Sequence, residues 1–297
     1  MIKIKHILDP VNSTKKVYER FILKGWSAIQ RTYFRKLAQR QLKKITWSRR
    51  DNCWCGNRLL DFPPHLSYGV CSACGCFVNK HPPLRKELNK LYSFDLYWHL
   101  IQKSEGSPPI EHREINDLSD GRINCWLSII KEYGPKSGKV IEVGCGPGIF
   151  LKILSSLGYD CLGIEICEQL CNWIKLKRGI DVICGVFPEI DVPSCDMFLA
   201  FDVLEHAIEP ELFVKKMYTI LRSGGIAIIQ TPTIRDSLTI NAENRINNLL
   251  SPFKEDQHLF IFTGKSIRLL LESAHFFVLD DTQKWFDGSE ITVVKKL

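Results

Sequence analysis

From Lys139 onward, the chain alternates between short apolar runs and segments of about ten residues with helical spacing. This alternation constrains the fold most, because it is typical of parallel strands joined by crossover helices that cover both faces of a sheet. The predicted strands are Lys139–Val143, Cys161–Glu165, Asp181–Cys184, Met197–Phe201, Ile226–Gln230, Phe276–Leu279 and Ile291–Lys295. The sequence therefore predicts an α/β domain with a doubly wound, seven-stranded sheet.

A glycine-rich segment follows the first predicted strand. Residues 144–148 read Gly-Cys-Gly-Pro-Gly, and residues 149–157 have helical spacing that ends at Gly158. Glycine is needed in such a unit where a nucleoside lies against the backbone and where turn positions require positive φ. The segment predicts a nucleoside-binding loop, and a tight turn in an unrelated doubly wound domain is the alternative.

Glu165 ends the second predicted strand, 21 residues after Gly144. A carboxylate at this position can accept both hydrogen bonds of a ribose diol. The glycine spacing Gly-x-Gly-x-Gly differs from the Gly-x-Gly-x-x-Gly of dinucleotide-binding loops, where a pyrophosphate lies over the helix N-terminus. The pair of motifs therefore favours S-adenosylmethionine over NAD, and the alternative for Glu165 is a solvent-exposed acid at a strand end.

At these residues the sequence resembles the class I S-adenosylmethionine-dependent methyltransferases, whose first motif ends in Gly-x-Gly-x-Gly and whose second strand ends in an acid. Residues 194–206 (SCDMFLAFDVLEH) and 221–226 (LRSGGI) are similar to the family's fourth strand with its loop and to the turn into the fifth strand. The resemblance implies a Rossmann-like sheet and methyl transfer from S-adenosylmethionine. The implied cofactor-binding residues are Glu142, Gly144, Cys145, Gly146, Gly148, Glu165, Ile166 and Asp202.

Five of the twelve cysteines lie between Cys53 and Cys76, and seven are scattered through predicted strands and helices. Clustered cysteines indicate a metal site, and scattered ones indicate reduced residues of the core. Two Cys pairs, each followed by glycine, can supply four thiolates to a structural zinc ion in an arrangement that resembles a zinc ribbon. The predicted ligands are Cys53, Cys55, Cys71 and Cys74. Replacement of one ligand by Cys76, or buried cysteines without metal, are the alternatives.

The zinc ribbon and the methyltransferase motifs together resemble bacterial methyltransferases of glycan and deoxysugar pathways, including sugar C-methyltransferases. That resemblance implies a small-molecule acceptor, such as a sugar or sugar nucleotide, and a Glu-His pair after the fourth strand, matched here by Glu205 and His206. A second histidine follows an acid in that group, whereas Gln257 precedes His258 here. We therefore predict His206 and His258 as candidate catalytic bases, with structural roles as the alternative, and His258 has no carboxylate neighbour in the sequence.

Residues 1–50 contain 14 Lys and Arg against two acids, a net charge of +12, whereas the remainder carries −5. The absence of proline from Val11 to Arg50, with apolar residues at spacings of three or four, predicts a basic amphipathic helix. A solvated helix that packs one stripe on the protein is favoured over attachment to a membrane surface or nucleic acid. Because the opening residues lack the apolar centre of a secretory signal, we expect a cytoplasmic protein, with peripheral membrane association as the alternative.

The predicted organisation is a basic helical arm (1–50), a zinc ribbon (51–80), a helical connector (81–135) and an S-adenosylmethionine-binding domain (136–297). Two rival functions stay open. One is an RNA methyltransferase, since the arm would suit phosphate contacts. The other is a non-catalytic zinc-binding scaffold, against which the intact glycines and Glu165 argue.

Overall fold

The structure is a computed structural model that describes residues 28–63, 65–234, 254–284 and 289–297. The predicted arm residues 1–27 lie outside this range. None of the helices in the described ranges is long and apolar enough to cross a membrane.

Eleven strands are present in the described residues. They are β1 Leu59–Asp61, β2 Tyr68–Cys71, β3 Phe77–Asn79, β4 Lys139–Val143, β5 Asp160–Glu165, β6 Asp181–Cys184, β7 Cys195–Phe201, β8 Leu221–Ile234, β9 Phe260–Thr263, β10 Phe276–Lys284 and β11 Ser289–Lys296. All seven predicted strands are confirmed, and the largest difference is β8, which is longer at both ends than predicted.

The helices flank these strands. They are α1 Ala28–Leu42, α2 Leu88–Leu91, α3 Gln102–Ser104, α4 Ile110–Ser119, α5 Arg122–Tyr133, α6 Ile149–Ser156, α7 Glu168–Arg178, α8 Pro210–Ile220, α9 Lys254–Gln257 and α10 Gly264–Ser273, with 3-10 turns at Arg85–Glu87 and Leu204–His206 and a π-helix at Phe94–Ile101.

The main sheet has the strand order β6-β5-β4-β7-β8-β11-β10. Strands β4 to β8 are parallel, and β11 is antiparallel to both β8 and β10. Side chains alternate between the two faces, so that Ile141 packs with α8 and α10 while Val140 packs with α5 and α6. A sheet buried on both faces is the α/β architecture that the alternation predicted.

The cysteine-rich region is a small antiparallel sheet that is continuous with the main one. Strand β3 pairs with β9, and β9 pairs in parallel with the last residues of β8. Strand β9 was not predicted, because its four residues have no periodicity of their own and the pairing joins segments far apart in the chain. The cysteine module is therefore fixed to the same strand that carries the end of the main sheet.

Two predicted helices differ in the structure. The connector (81–135), predicted as helical, is interrupted at Ser93, whose backbone is extended and whose hydroxyl accepts a hydrogen bond from the Leu96 amide. The basic helix predicted to extend to Arg50 ends at Leu42 as α1. Its buried residues are Ala38 and Leu42, whereas the apolar Ile29 is 82% exposed.

All twelve cysteines lie in the described residues and are free thiols. Of the seven scattered cysteines, four are buried, namely Cys145, Cys167, Cys171 and Cys195. Two others are half-buried and Cys184 is exposed, so the prediction of reduced cysteines holds for all seven and that of core positions only for some.

Candidate active site

The glycine-rich loop lies at the carboxyl end of β4. Gly144 and Gly146 have φ values of 65° and 51°, in the left-handed region that disfavours other residues. A Cβ at Gly144 would lie 2.5 Å from Val203 Cγ2, and a Cβ at Gly146 would lie 3.1 Å from the Trp98 ring. The loop is therefore bare for two physical reasons, the backbone conformation and the lack of space.

Glu165 lies opposite the loop at the end of β5 and is buried. Its carboxylate accepts hydrogen bonds from the amides of Gly146 (3.0 Å) and Cys167 (2.9 Å). Burial raises the pKa of Glu165 to about 7, and the backbone hydrogen bonds oppose that rise. The exposed strand-end acid proposed as an alternative is excluded, because the side chain faces the loop.

Glu142 is a second buried carboxyl group, on β4. Burial and then the charge of Glu165 raise the pKa of Glu142 to about 8. Its Oε2 atom has no hydrogen-bond partner in the described part of the protein. A buried acceptor without a donor fits a ligand that brings hydrogen-bond donors, as the amine and ribose of S-adenosylmethionine do.

These residues line one large cavity. Glu142, the 144–147 loop, Glu165 and Ile166 border it on one side, and Asp202 and His206 border it further along. Asp202 has a φ of 55°, and its carboxylate accepts hydrogen bonds from Gln230 at 3.0 Å. Of the predicted cofactor residues, Gly148 is the one that does not line the cavity, since it begins α6 and packs on Ile174.

An aromatic wall that sequence reasoning missed closes the cavity. Tyr97 and Trp98 project from the π-helix, and Trp126 stacks on Phe201 with ring centroids 4.1 Å apart. Arg113 lies over the Trp98 ring. The density of aromatic residues at 92–98 was the available signal, but its meaning depended on how the connector folds back over the glycine loop.

His206 and His258 come together beside the cavity, although they are 52 residues apart. Their ring centroids are 5.1 Å apart, and His206 lines the cavity while His258 is buried behind it. Glu205, His206 and His258 each offer a ligand atom within 4.8 Å of the others. Glu205 is therefore a carboxylate near His258, although Gln257 directly precedes His258 in the sequence. The expectation that His258 has no acidic neighbour is therefore wrong, and the reason is tertiary packing.

Four cysteines of the cysteine module lie close together. The Sγ atoms of Cys53 and Cys74 are 3.6 Å apart, and those of Cys55 and Cys71 are 3.4 Å apart. A tetrahedral zinc ion with bonds of about 2.3 Å spaces its sulfurs roughly 3.8 Å apart. The hydrogen bond with Cys53 and then burial raise the pKa of Cys74. Cys76 is outside this group of four: its thiol is directed to the Ile261 carbonyl (3.5 Å) and also interacts with the Cys53 thiol.

A family model described as "Methyltransferase domain" matches residues 111–280, more than half of the chain and the part that contains the loop, Glu165 and both histidines. The chain belongs to the class I S-adenosylmethionine-dependent methyltransferases. A magnesium protoporphyrin IX methyltransferase of Synechocystis PCC 6803, solved with bound SAH, shares the methyltransferase fold with a TM-score of 0.52 at 17% identity, over 72% of this chain and 98% of its own.

Curated methyltransferases match the same region. A ubiquinone biosynthesis O-methyltransferase of Cupriavidus pinatubonensis is 25% identical over 154 residues, which are 49% of this chain and 58% of that protein. A probable S-adenosylmethionine-dependent methyltransferase of Mycolicibacterium smegmatis is 27% identical over 153 residues, or 50% of this chain and 56% of that protein. The chain thus spans little more than half the length of these two relatives.

Proposed function

We propose that this protein methylates a hydroxyl oxygen of a small organic acceptor. The observation that carries the proposal is a single cavity lined by the glycine loop, Glu142, Glu165 and His206. A donor and an acceptor can therefore lie beside each other in the same cavity. Oxygen is the proposed acceptor atom because the matched relatives named for ubiquinone biosynthesis are O-methyltransferases.

The chain's own residues divide into donor and acceptor roles. Glu165 would accept hydrogen bonds from the ribose hydroxyls, and the loop from Gly144 to Gly146 would lie under the nucleoside. Bound S-adenosylmethionine supplies a methyl group on a positively charged sulfur. The Glu205, His206 and His258 cluster would promote loss of the acceptor's proton, and the aromatic wall would exclude water from the transfer.

Three chemical classes of acceptor are compared. A sugar or sugar nucleotide stays a prediction, since the relatives' names point to a different pathway. RNA methylation through the basic arm also stays a prediction. An assay with radiolabelled S-adenosylmethionine distinguishes these acceptor classes when it is run on sugar nucleotides, dihydroxylated aromatic compounds and short RNAs. Activity on RNA that falls steeply with salt would favour the alternative that depends on the arm.

Two substitutions test the roles. Glu165→Gln should weaken donor binding measured by calorimetry, whereas His206→Gln should lower kcat by roughly 100-fold or more with donor affinity unchanged, which is the range that general acid–base groups contribute. Retained turnover in His206→Gln would remove that residue from the chemistry. A protein that binds no S-adenosylmethionine at all would instead support the scaffold alternative.

We also propose that Cys53, Cys55, Cys71 and Cys74 hold a structural zinc ion. Their sulfur spacing and the glycine turns support this, and four thiolates leave no open position for chemistry. On this basis residues 51–80 form a zinc ribbon, 81–135 a connector, and 136–297 the catalytic domain, with 1–50 as the arm. Metal analysis of the purified protein should give one zinc per chain, and substantially less would refute the site.

A further inference from the structure

The cluster of Glu205, His206 and His258 has the composition of a metal centre. His206 Nε2 lies 3.7 Å from Glu205 Oε1, and one ligand atom from each of the three residues lies within 4.8 Å of the others. Atoms bound about 2.1 Å from one ion stand roughly 3.0 to 3.4 Å apart. The ligand atoms would have to move closer together by roughly 0.3 to 1.8 Å to bind one ion.

The electrostatics of the cluster favour a cation. Glu205 is 1% exposed, and its Oε2 accepts a hydrogen bond from the Thr231 hydroxyl at 2.9 Å. Withdrawing a carboxylate from water is costly unless positive charge is supplied nearby. A divalent cation bound beside Glu205 would compensate its charge.

The surroundings hold His206 in the form that a metal requires. Its Nδ1 lies 2.8 Å from the Gln257 carbonyl oxygen, which can only accept, so Nδ1 carries the proton and donates it. In the neutral ring, Nε2 then presents its lone pair on the side where Glu205 lies. Hydrogen bonds of this kind from the remote ring nitrogen are typical of histidines that bind metals.

The backbone around the cluster is also braced. The Leu259 amide donates to the Glu205 carbonyl at 2.8 Å, and the buried Tyr68 hydroxyl donates to the His258 carbonyl. These contacts tie the loop after β7, the segment before β9 and the cysteine module to one another. The backbone that carries the ligands is therefore held in place, and only their side chains would have to adjust to an ion.

We propose that Glu205, His206 and His258 bind a first-row divalent transition-metal ion, such as Mn²⁺ or Fe²⁺, at the end of the cavity where His206 lies. Two imidazoles with one carboxylate favour such ions over Mg²⁺, which prefers oxygen ligands alone. Three protein ligands leave positions open, and because His206 lines the cavity, those positions face the acceptor.

The consequence for the reaction rests on the proposed function. A hydroxyl oxygen bound to the ion loses its proton to solvent more readily, because the cation stabilises the oxyanion. The carbon–oxygen bond then forms as the methyl carbon–sulfur bond breaks, the sulfur keeps the electron pair, and no group changes oxidation state. An acceptor with two adjacent oxygens would occupy two open positions, so the site would select vicinal diols over isolated hydroxyls.

Binding of Mn²⁺ tests the cation site without donor or acceptor. The full-length protein, with zinc retained at the cysteines, is titrated with Mn²⁺ and followed by electron paramagnetic resonance, because thiolates select zinc over Mn²⁺. We expect one bound Mn²⁺ per chain. Glu205→Gln and His258→Gln should each weaken it at least 100-fold, while His112→Gln, which changes an exposed histidine away from the cluster, should leave it unchanged.

The outcomes separate the cation site from the methyl transfer. Absence of stoichiometric Mn²⁺ binding, or equal binding in all three variants, would overturn the site even if methyl transfer proceeds. Binding that is lost in the cluster variants alone would support it even if no acceptor is methylated. Calorimetric binding of S-adenosylhomocysteine to each variant verifies folding, and His206→Asn provides a further ligand variant if Glu205→Gln fails that test.

Discussion

Donor affinity should depend on pH through one buried carboxyl group. Burial raises the pKa of Glu165 to about 7. In the proposed binding mode, the ribose hydroxyls of the donor bind the ionised form of this carboxyl group. About one molecule in eleven is therefore ionised at pH 6 and about ten in eleven at pH 8, and the apparent dissociation constant scales inversely with that fraction. We expect S-adenosylhomocysteine to bind roughly tenfold more weakly at pH 6 than at pH 8, a difference of about 1.4 kcal/mol.

Calorimetry at the two pH values, in buffers of different ionisation enthalpy, measures both the affinity and the proton released. Glu165→Gln should bind weakly at both pH values with the tenfold change removed, because glutamine does not titrate. Glu168→Gln, an exposed acid at the start of α7, should keep the change. A constant affinity from pH 6 to 8, or the same slope in Glu165→Gln, would refute the role of this carboxylate.

The ionisation of Glu165 should also affect folding stability, but in the opposite direction: donor affinity rises with pH, whereas the contribution of Glu165 to stability falls. The ordinary pKa of 4.5 is raised in the folded protein, so the native state holds a proton that the unfolded chain has released between about pH 4.5 and 7. The contribution of Glu165 to the free energy of unfolding therefore falls as pH rises through that window. Denaturant titrations at several pH values in this window give the free energy of unfolding of the protein and of Glu165→Gln. This free energy should change differently with pH in the two proteins, and the same pH dependence in both would contradict the burial of Glu165.

Three further substitutions follow from the geometry. Gly144→Ala should lower the free energy of unfolding by about 1 to 3 kcal/mol and weaken donor binding, because alanine is strained at positive φ and its Cβ would collide with Val203. Unchanged denaturation curves would contradict this. Tyr68→Phe should lower the free energy of unfolding by about 1 kcal/mol, because the His258 carbonyl loses its buried hydrogen-bond donor. It should also lower kcat with donor affinity unchanged. Unaltered kinetics would mean that this contact does not position His258 for the reaction. Cys74→Ser should reduce zinc content below one per chain and unfold the ribbon, as shown by metal analysis and proteolysis; full zinc retention would argue for a different ligand set.

Much of the catalytic domain follows from local sequence. Strand β4 matches its predicted bounds, since a parallel strand buried on both faces must be a continuous apolar run whatever surrounds it. Gly144 and Gly146 were identifiable because few other residues tolerate their backbone conformation. Glu165 was identifiable because its distance from the loop reflects the length of one strand–helix–strand unit.

Other features had no local signal. The break at Ser93 depends on a side-chain cap that competes with helix continuation, and the pairing of β3 with β9 joins residues that are far apart in the chain. The aromatic wall formed by Trp98 and Trp126 exists because the connector folds over the loop. Neither spacing nor composition encodes that approach.

The sequence by itself determined the sheet, the bare loop, the acid that faces it and the four clustered cysteines, because each depends on contacts within a few tens of residues. Only the tertiary structure decided that Glu205 lies beside His206 and His258. Strand β9 brings His258 to the loop after β7, and the cysteine module is joined to β9 through β3. The cluster of Glu205, His206 and His258 is thus assembled from distant segments, whose proximity is set by the packing of the described residues rather than by any local preference.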